Sequence, residues 1–227
     1  MWHRRSEHAP PFADRVDAGR QLADALAPLV SGIRRDRLIA LGLARGGVVL
    51  AAEVARSLGL AMDALVVRKI GAPMQPELAI GAVGPGDHRL LNHPLIESLG
   101  LAPEPVAALA DAASAERDRL DRDLRGTRPF PVLEDRTVIL VDDGLATGAS
   151  MRAAWGYVAR DAASVIVAVP VAPPDAVQTF EALGAQVVAL VVTRSFGAVG
   201  SFYDDFGEVT SGQVRALLDG DATVANG

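Results

Sequence analysis

The stretch Val138-Ile139-Leu140-Val141-Asp142-Asp143-Gly144-Leu145-Ala146-Thr147-Gly148-Ala149-Ser150 decides the fold of this chain and most of its chemistry. Its first four residues are apolar and mostly β-branched, the pattern of a strand buried on both faces of a sheet. Two carboxylates and a turn of small residues, Gly144 to Ser150, follow at once. Met151-Arg152-Ala153-Ala154-Trp155 then reads as a helix starting near Ala149 or Ser150. Strand, tight loop and helix N-terminus together make an anion site, because backbone N–H groups converge there and the helix dipole favours negative charge. The carboxylates cannot hold that anion. They suit hydroxyl groups or a hydrated Mg²⁺, so the implied ligand is a sugar phosphate.

The run resembles the signature of the type I phosphoribosyltransferases, which bind 5-phosphoribosyl 1-diphosphate (PRPP) in such a loop. Four apolar residues, Asp-Asp, two spacers, Ala-Thr-Gly, a small residue and a hydroxyl carry the likeness. The resemblance implies that Asp142 and Asp143 hold the ribose hydroxyls with Mg²⁺ nearby, and that Gly144 and Ala146, Thr147, Gly148, Ala149 and Ser150 wrap the 5′-phosphate. An acidic strand end followed by an ordinary turn is the plainer reading of Asp-Asp alone. The attached Thr147-Gly148-Ala149-Ser150 makes it the weaker one.

A chain of 227 residues, half of them hydrophobic, can bury a substantial core. No apolar run approaches the ~18 residues needed to span a bilayer. Met1-Trp2-His3-Arg4-Arg5 is basic but leads into Pro10-Pro11, so no secretory signal is expected and a cytoplasmic location is the default. The absence of cysteine removes thiolate ligands, disulfides and a thiol nucleophile. A net charge of −6 argues against a nucleic-acid surface. Lys69 is the only lysine and no Gly-rich turn precedes it, which excludes a Walker A loop.

Periodicity predicts an α/β chain: a Rossmann-like open parallel sheet of about five strands, as in the type I phosphoribosyltransferase fold, in one domain spanning 1–227. A loosely held arm (1–12) and a helix over 17–30 precede the first strand, Leu38 to Leu43. Helix 48–58 and a strand over 64–67, ending in Arg68-Lys69, follow. Gly71, Pro73, Pro76, Gly81, Gly84, Pro85 and Gly86 break the alternation, so 68–92 reads as a flexible loop and a hairpin. Helix 103–125 carries alternating charge in its second half, read as a solvated face. Strands over 164–169 and 186–192 flank a helix at 175–183. A Gly- and aromatic-rich hood (193–210), a helix over 211–218 and a tail (220–227) close the chain.

Three further stretches are candidate sites. Leu43-Ala44-Arg45-Gly46-Gly47 ends the first strand, where loops of open α/β sheets face the ligand. Its glycines admit an anion to backbone amides, and Arg45 offers a bidentate contact. It lacks the middle glycine of G-x-G-x-x-G, so a dinucleotide site fails on spacing. The stretch is similar to the pyrophosphate loop of the family, in the Ala-Arg-Gly form of adenine phosphoribosyltransferases. Arg68-Lys69-Ile70-Gly71-Ala72-Pro73 with Glu77 resembles the start of the family's catalytic loop, able to close over diphosphate, with Glu77 as a candidate proton acceptor. The segment from Phe196 to Phe206 loosely resembles the purine-contacting hood of hypoxanthine phosphoribosyltransferases. That likeness implies stacking by Phe196, backbone contacts at Val199, and an exocyclic group or metal-bound water at Asp204 or Asp205. His88 and His93 lack metal-ligand spacing.

Hypoxanthine-type enzymes carry an acidic general base where this chain has Ala146, so proton removal from the acceptor falls to another residue or to none. The resemblance therefore implies an Mg²⁺- and PRPP-dependent transferase acting on a nitrogenous base, purines among the candidates, as a homodimer. Arg45, Lys69 and Glu77 are its catalytic candidates. Alternatives are a PRPP- or nucleotide-binding regulator without transfer, and a hydrolase of phosphoribosyl or related phosphate compounds.

Overall fold

The apolar runs of the sequence find one another in a single parallel sheet. The computed structural model describes residues 11–220. In chain order the elements are α1 (Arg15–Val30), β1 (Leu38–Leu43), α2 (Gly46–Leu58), β2 (Ala61–Leu65), β3 (Arg68–Ala72), β4 (Gln75–Gly84), β5 (His88–Leu91) and α3 (His93–Ser98). They continue with α4 (Pro103–Arg125), β6 (Thr137–Val141), α5 (Ala149–Val158), β7 (Ser164–Ala172), α6 (Pro174–Ala182), β8 (Gln186–Val192) and α7 (Ser211–Leu218). The main sheet runs β2-β1-β6-β7-β8, every pairing parallel. This is the five-stranded α/β sheet that the sequence predicts.

Alternate residues of the central strands serve two cores, as the period of two requires. Leu38 and Ala40 of β1 pack with Leu22 and Leu26 of α1 and Leu50 and Val54 of α2. Ile39 and Leu41 pack with Met151 and Ala154 of α5 and Phe180 of α6. β1 and β6 are buried along their whole length, which is why they read as unbroken apolar runs.

Four expectations need correction. The second strand ends at Leu65, and Arg68-Lys69 opens β3 of a separate antiparallel sheet, β3-β4-β5. The β4–β5 hairpin turns at Pro85–Asp87, as its glycines and proline predict, but 68–72 is a strand paired with β4. Ile70, Ile80 and Val83 pack on Val106, Ala110 and Ala113 of α4, and that burial outweighs the poor strand propensity of Gly71. The arm assigned to 1–12 does not extend to Phe12. That ring is buried against Tyr203, 5.4 Å between centroids, and its N–H donates to the Phe202 carbonyl. Residues 1–10 and 221–227 lie outside the described part of the chain.

The charged half of α4 is not a uniformly solvated face. Arg117 and Arg125 are buried. Arg125 donates to Asp63 Oδ2 at 2.8 Å and to the Ala64 carbonyl at 2.6 Å, tying α4 to the end of β2. Burial pushes the Asp63 carboxyl above its usual range, and the Arg125 charge opposes that rise. Removing one partner of a buried pair costs more than the pair contributes, because the other charge is left uncompensated. Arg125→Met is expected to lower stability by about 3–5 kcal/mol at pH 7 in urea unfolding. The raised carboxyl binds more protons folded than unfolded, so the loss should shrink as pH falls toward 4. A pH-independent loss would mean that the charge is not the cause.

Candidate functional site

In a doubly wound sheet the ligand crevice opens where the winding reverses. Here the chain moves from β1 outward to β2, then returns to β6 and proceeds the other way through β7 and β8. The switch point therefore lies between β1 and β6, and the loops at their carboxyl ends are Ala44-Arg45 and Asp142–Gly148. Each leads straight into a helix, α2 at Gly46 and α5 at Ala149. Neither helix start has a side-chain cap, and the cap residue of α5 is Gly148, left-handed at φ 70°. Helix N-termini without side-chain caps offer N–H donors and positive dipole ends to the crevice. Ala146, Thr147 and Ser150 stand exposed at its rim. The Ala44–Arg45 peptide is cis.

Two glycines let these loops touch. A Cβ at Gly46 would fall on the Asp143 carboxylate, and one at Gly47 would come within 2.5 Å of the Val141 carbonyl and 2.9 Å of Asp142 Cα. The aspartates are thus pressed against the start of α2. Asp142 Oδ1 accepts the Asp143 N–H at 2.9 Å. Burial and the adjacent Asp143 charge push the Asp142 carboxyl well above its ordinary range. Burial raises Asp143 as well, although Arg15 pulls it down. Two crowded, half-buried acids with one counter-charge form a strong site for a cation or for hydroxyl donors.

Arg15 is the residue that the sequence did not disclose. Its Nε donates to Asp143 Oδ2 at 2.9 Å, its Nη1 donates to the Gly207 carbonyl at 2.7 Å, and its guanidinium lies 3.8 Å from the Phe206 ring centroid. Tyr203 donates its hydroxyl to the Asp143 carbonyl at 2.6 Å, and burial pushes that hydroxyl's pKa up. No local motif marks Arg15, which opens an amphipathic helix 128 residues from its partner. The aromatic cluster around Tyr203 and Phe206 was the one available signal.

The remaining candidates fall into two groups. Arg45 lies at the crevice, paired with Glu208 at 2.6 Å. Val199 packs where a side chain on Gly144 would be, 2.7 Å from such a Cβ, so the hood segment abuts the loop after the carboxylates. Phe196 packs on Phe202 at 5.5 Å between ring centroids. The Asp204 and Asp205 N–H groups donate to the Phe12 and Ala13 carbonyls, and Asp205 Oδ1 accepts the Gly207 N–H, which makes this pair part of the segment's own scaffold. Arg68 is held on α4 by Glu116 at 3.0 Å, and Lys69 stands opposite Ala82 in the small sheet. Glu77 lies in β4, and its side chain is outside the described part of the structure. Among the described residues no cluster of three or more His, Asp or Glu is placed to hold a metal. The Asp142–Asp143 pair fits Mg²⁺ instead, which binds through one or two carboxylates, substrate oxygens and water.

The profile of the phosphoribosyl transferase domain matches residues 13–181. Two Mycobacterium tuberculosis proteins, from strains CDC 1551 and H37Rv, carry the name "Putative phosphoribosyl transferase" and are each 43% identical to this chain over 210 residues. That match covers 92% of this chain and 46% of each relative, so the chain spans about half the length of the curated relatives. The crystal structure of TT1426 from Thermus thermophilus superposes with a TM-score of 0.80 at 46% identity, covering 91% of this chain and 97% of that one. No described helix is long and apolar enough to cross a membrane. With its parallel sheet, its two uncapped helix starts at the switch point and the matching profile, the chain belongs to the phosphoribosyltransferase family.

Proposed function

We propose that this protein moves the 5-phosphoribosyl group of PRPP to a nitrogenous base, releasing diphosphate. The observation that carries the reading is the juxtaposition of the Asp142–Asp143 carboxylates with two helix N-termini at the switch point. The loop from Gly144 to Ser150 and the start of α5 hold the 5′-phosphate, and Asp142 and Asp143 accept hydrogen bonds from the ribose hydroxyls. Asp142 and Asp143 would also hold Mg²⁺, which would supply neutralisation of charge on the leaving group. The α2 amides and Arg45 take the rest of that charge, after Arg45 leaves the exposed Glu208. Arg68 and Lys69 act from the small sheet, with Glu77 as proton acceptor.

As the C1–diphosphate bond breaks, positive charge develops at C1 and the ring oxygen, and an acceptor nitrogen forms the new bond. The protein contributes position and field rather than a covalent intermediate. Val199 and Phe196 of the segment over Gly144 form the acceptor side, with Asp204 or Asp205 at its edge. A homodimer, the state implied by the family resemblance, with the cytoplasm as the default location, completes the reading. Ala146 in place of an acid favours one second reading, a PRPP-binding regulator without transfer.

Incubation with PRPP, Mg²⁺ and a panel of bases separates these outcomes. Base-dependent diphosphate release is expected. Release without base would indicate a hydrolase, and binding without release a regulator. Asp142→Asn with Asp143→Asn is expected to abolish PRPP binding in calorimetry, and unchanged affinity would refute the carboxylate assignment. Arg15→Ala should weaken PRPP by about tenfold through a displaced Asp143, a loss of about 1.4 kcal/mol, with Arg15→Lys between the two.

A further inference from the structure

The small sheet is fastened to α5 at the end of that helix away from the crevice. Near the helix start, Ala79 and Ala82 of β4 and Ala149 and Ala153 of α5 line a cavity of about 380 Å³, and these short side chains leave the two elements apart. At the helix end they meet. A Cβ on Gly156 would lie 3.2 Å from Leu90, and one on Gly84 would lie 3.5 Å from Tyr157. His88, the first residue of β5, joins this contact: its ring centroid is 5.7 Å from that of Tyr157, and its Nδ1 is 2.9 Å from Arg160 Nη1. A guanidinium carries donors only, so Nδ1 accepts that bond and the single ring proton sits on Nε2. Nε2 is buried without a hydrogen-bond partner among the described residues. A second proton has one place to enter, Nδ1. There it breaks the bond to Arg160 and sets two cations against each other.

We infer that His88 is a pH-sensitive clasp between the small sheet and α5, closed while the imidazole is neutral and released when it takes up a proton. The charges around it favour the neutral form. Burial and the Arg160 cation both lower the affinity of His88 for a proton, and Asp161 opposes them. Arg117 and Arg125 of α4 add positive charge near Tyr157. The β4 partner of His88 is Gly84, which brings no charge, and Arg89 beside it in β5 is held by Asp111 of α4 at 2.8 Å. The sheet held by this clasp carries Arg68, Lys69 and Glu77. The clasp itself involves neither the carboxylates nor the helix starts at the crevice, so it stands or falls apart from the transferase reading.

Proton NMR titration of the full chain, with the His88 signal assigned by its loss in His88→Asn, should give a midpoint below the ordinary 6.5. Arg160→Met should raise that midpoint. Amide hydrogen exchange, corrected for its intrinsic pH dependence, reads the release itself. Protection of the segment from Gly84 to Leu91 should fall about three- to tenfold between about pH 7.5 and pH 5, the worth of one lost hydrogen bond. Peptides from α1 should show no such fall. His88→Asn keeps an oxygen that accepts from Arg160 but does not titrate, so its protection should stay constant over the same range. A midpoint at or above 6.5, a midpoint unmoved by Arg160→Met, constant protection in the unmodified protein, or an equal fall in His88→Asn would overturn the proposal.

Discussion

Everything at the crevice depends on how closely the start of α2 approaches the end of β6. Adjacent parallel strands bring their outgoing loops together, but contact between the backbones requires that no side chain stand between them. Gly46 and Gly47 meet that requirement, and any Cβ there would strike the Asp143 carboxylate or the Val141 carbonyl. The approach places two helix N-termini and two carboxylates around one space. A wider gap would leave two ordinary βα turns.

Such crowding has an electrostatic cost, and the surrounding structure is arranged to offset it. Neighbouring carboxylates that are half withdrawn from water favour protonation, as the raised Asp142 and Asp143 show. Arg15 compensates one of them from α1, while Phe206 and the Gly207 carbonyl hold the guanidinium in place. Tyr203 fixes the Asp143 backbone and, through Phe12, joins the beginning of the described chain to the segment after β8. Remote parts of the chain therefore converge on one acid, leaving Asp142 without a cationic partner of its own among the described residues.

What the sequence made legible follows from how local each signal is. β1, β6, α4, β8 and α7 have the extents that periodicity predicts, to within a residue, because each is a run whose burial or propensity is written in consecutive residues. The carboxylate pair and the glycine loops were visible for the same reason. β3 was missed because its stability comes from pairing with β4 and packing on α4, neither of which Arg68-Lys69-Ile70-Gly71-Ala72 displays by itself. The burial of Arg117 and Arg125 was hidden by their acidic neighbours, which imitate a solvated face. Arg15 was out of reach for a simpler reason: its partner lies on the other side of the sequence and only the fold brings them together.

The close approach at Gly46 can be probed with one added methyl group. Titration of PRPP with Mg²⁺ into the Gly46→Ala variant, after its cooperative melting has been verified, measures the constraint itself. Displacement of the Asp143 carboxylate should cut PRPP affinity by at least about tenfold, a single strong polar contact. Affinity equal to that of the unmodified protein would contradict the account, because a sugar phosphate would then be bound without the carboxylate pair held against the start of α2.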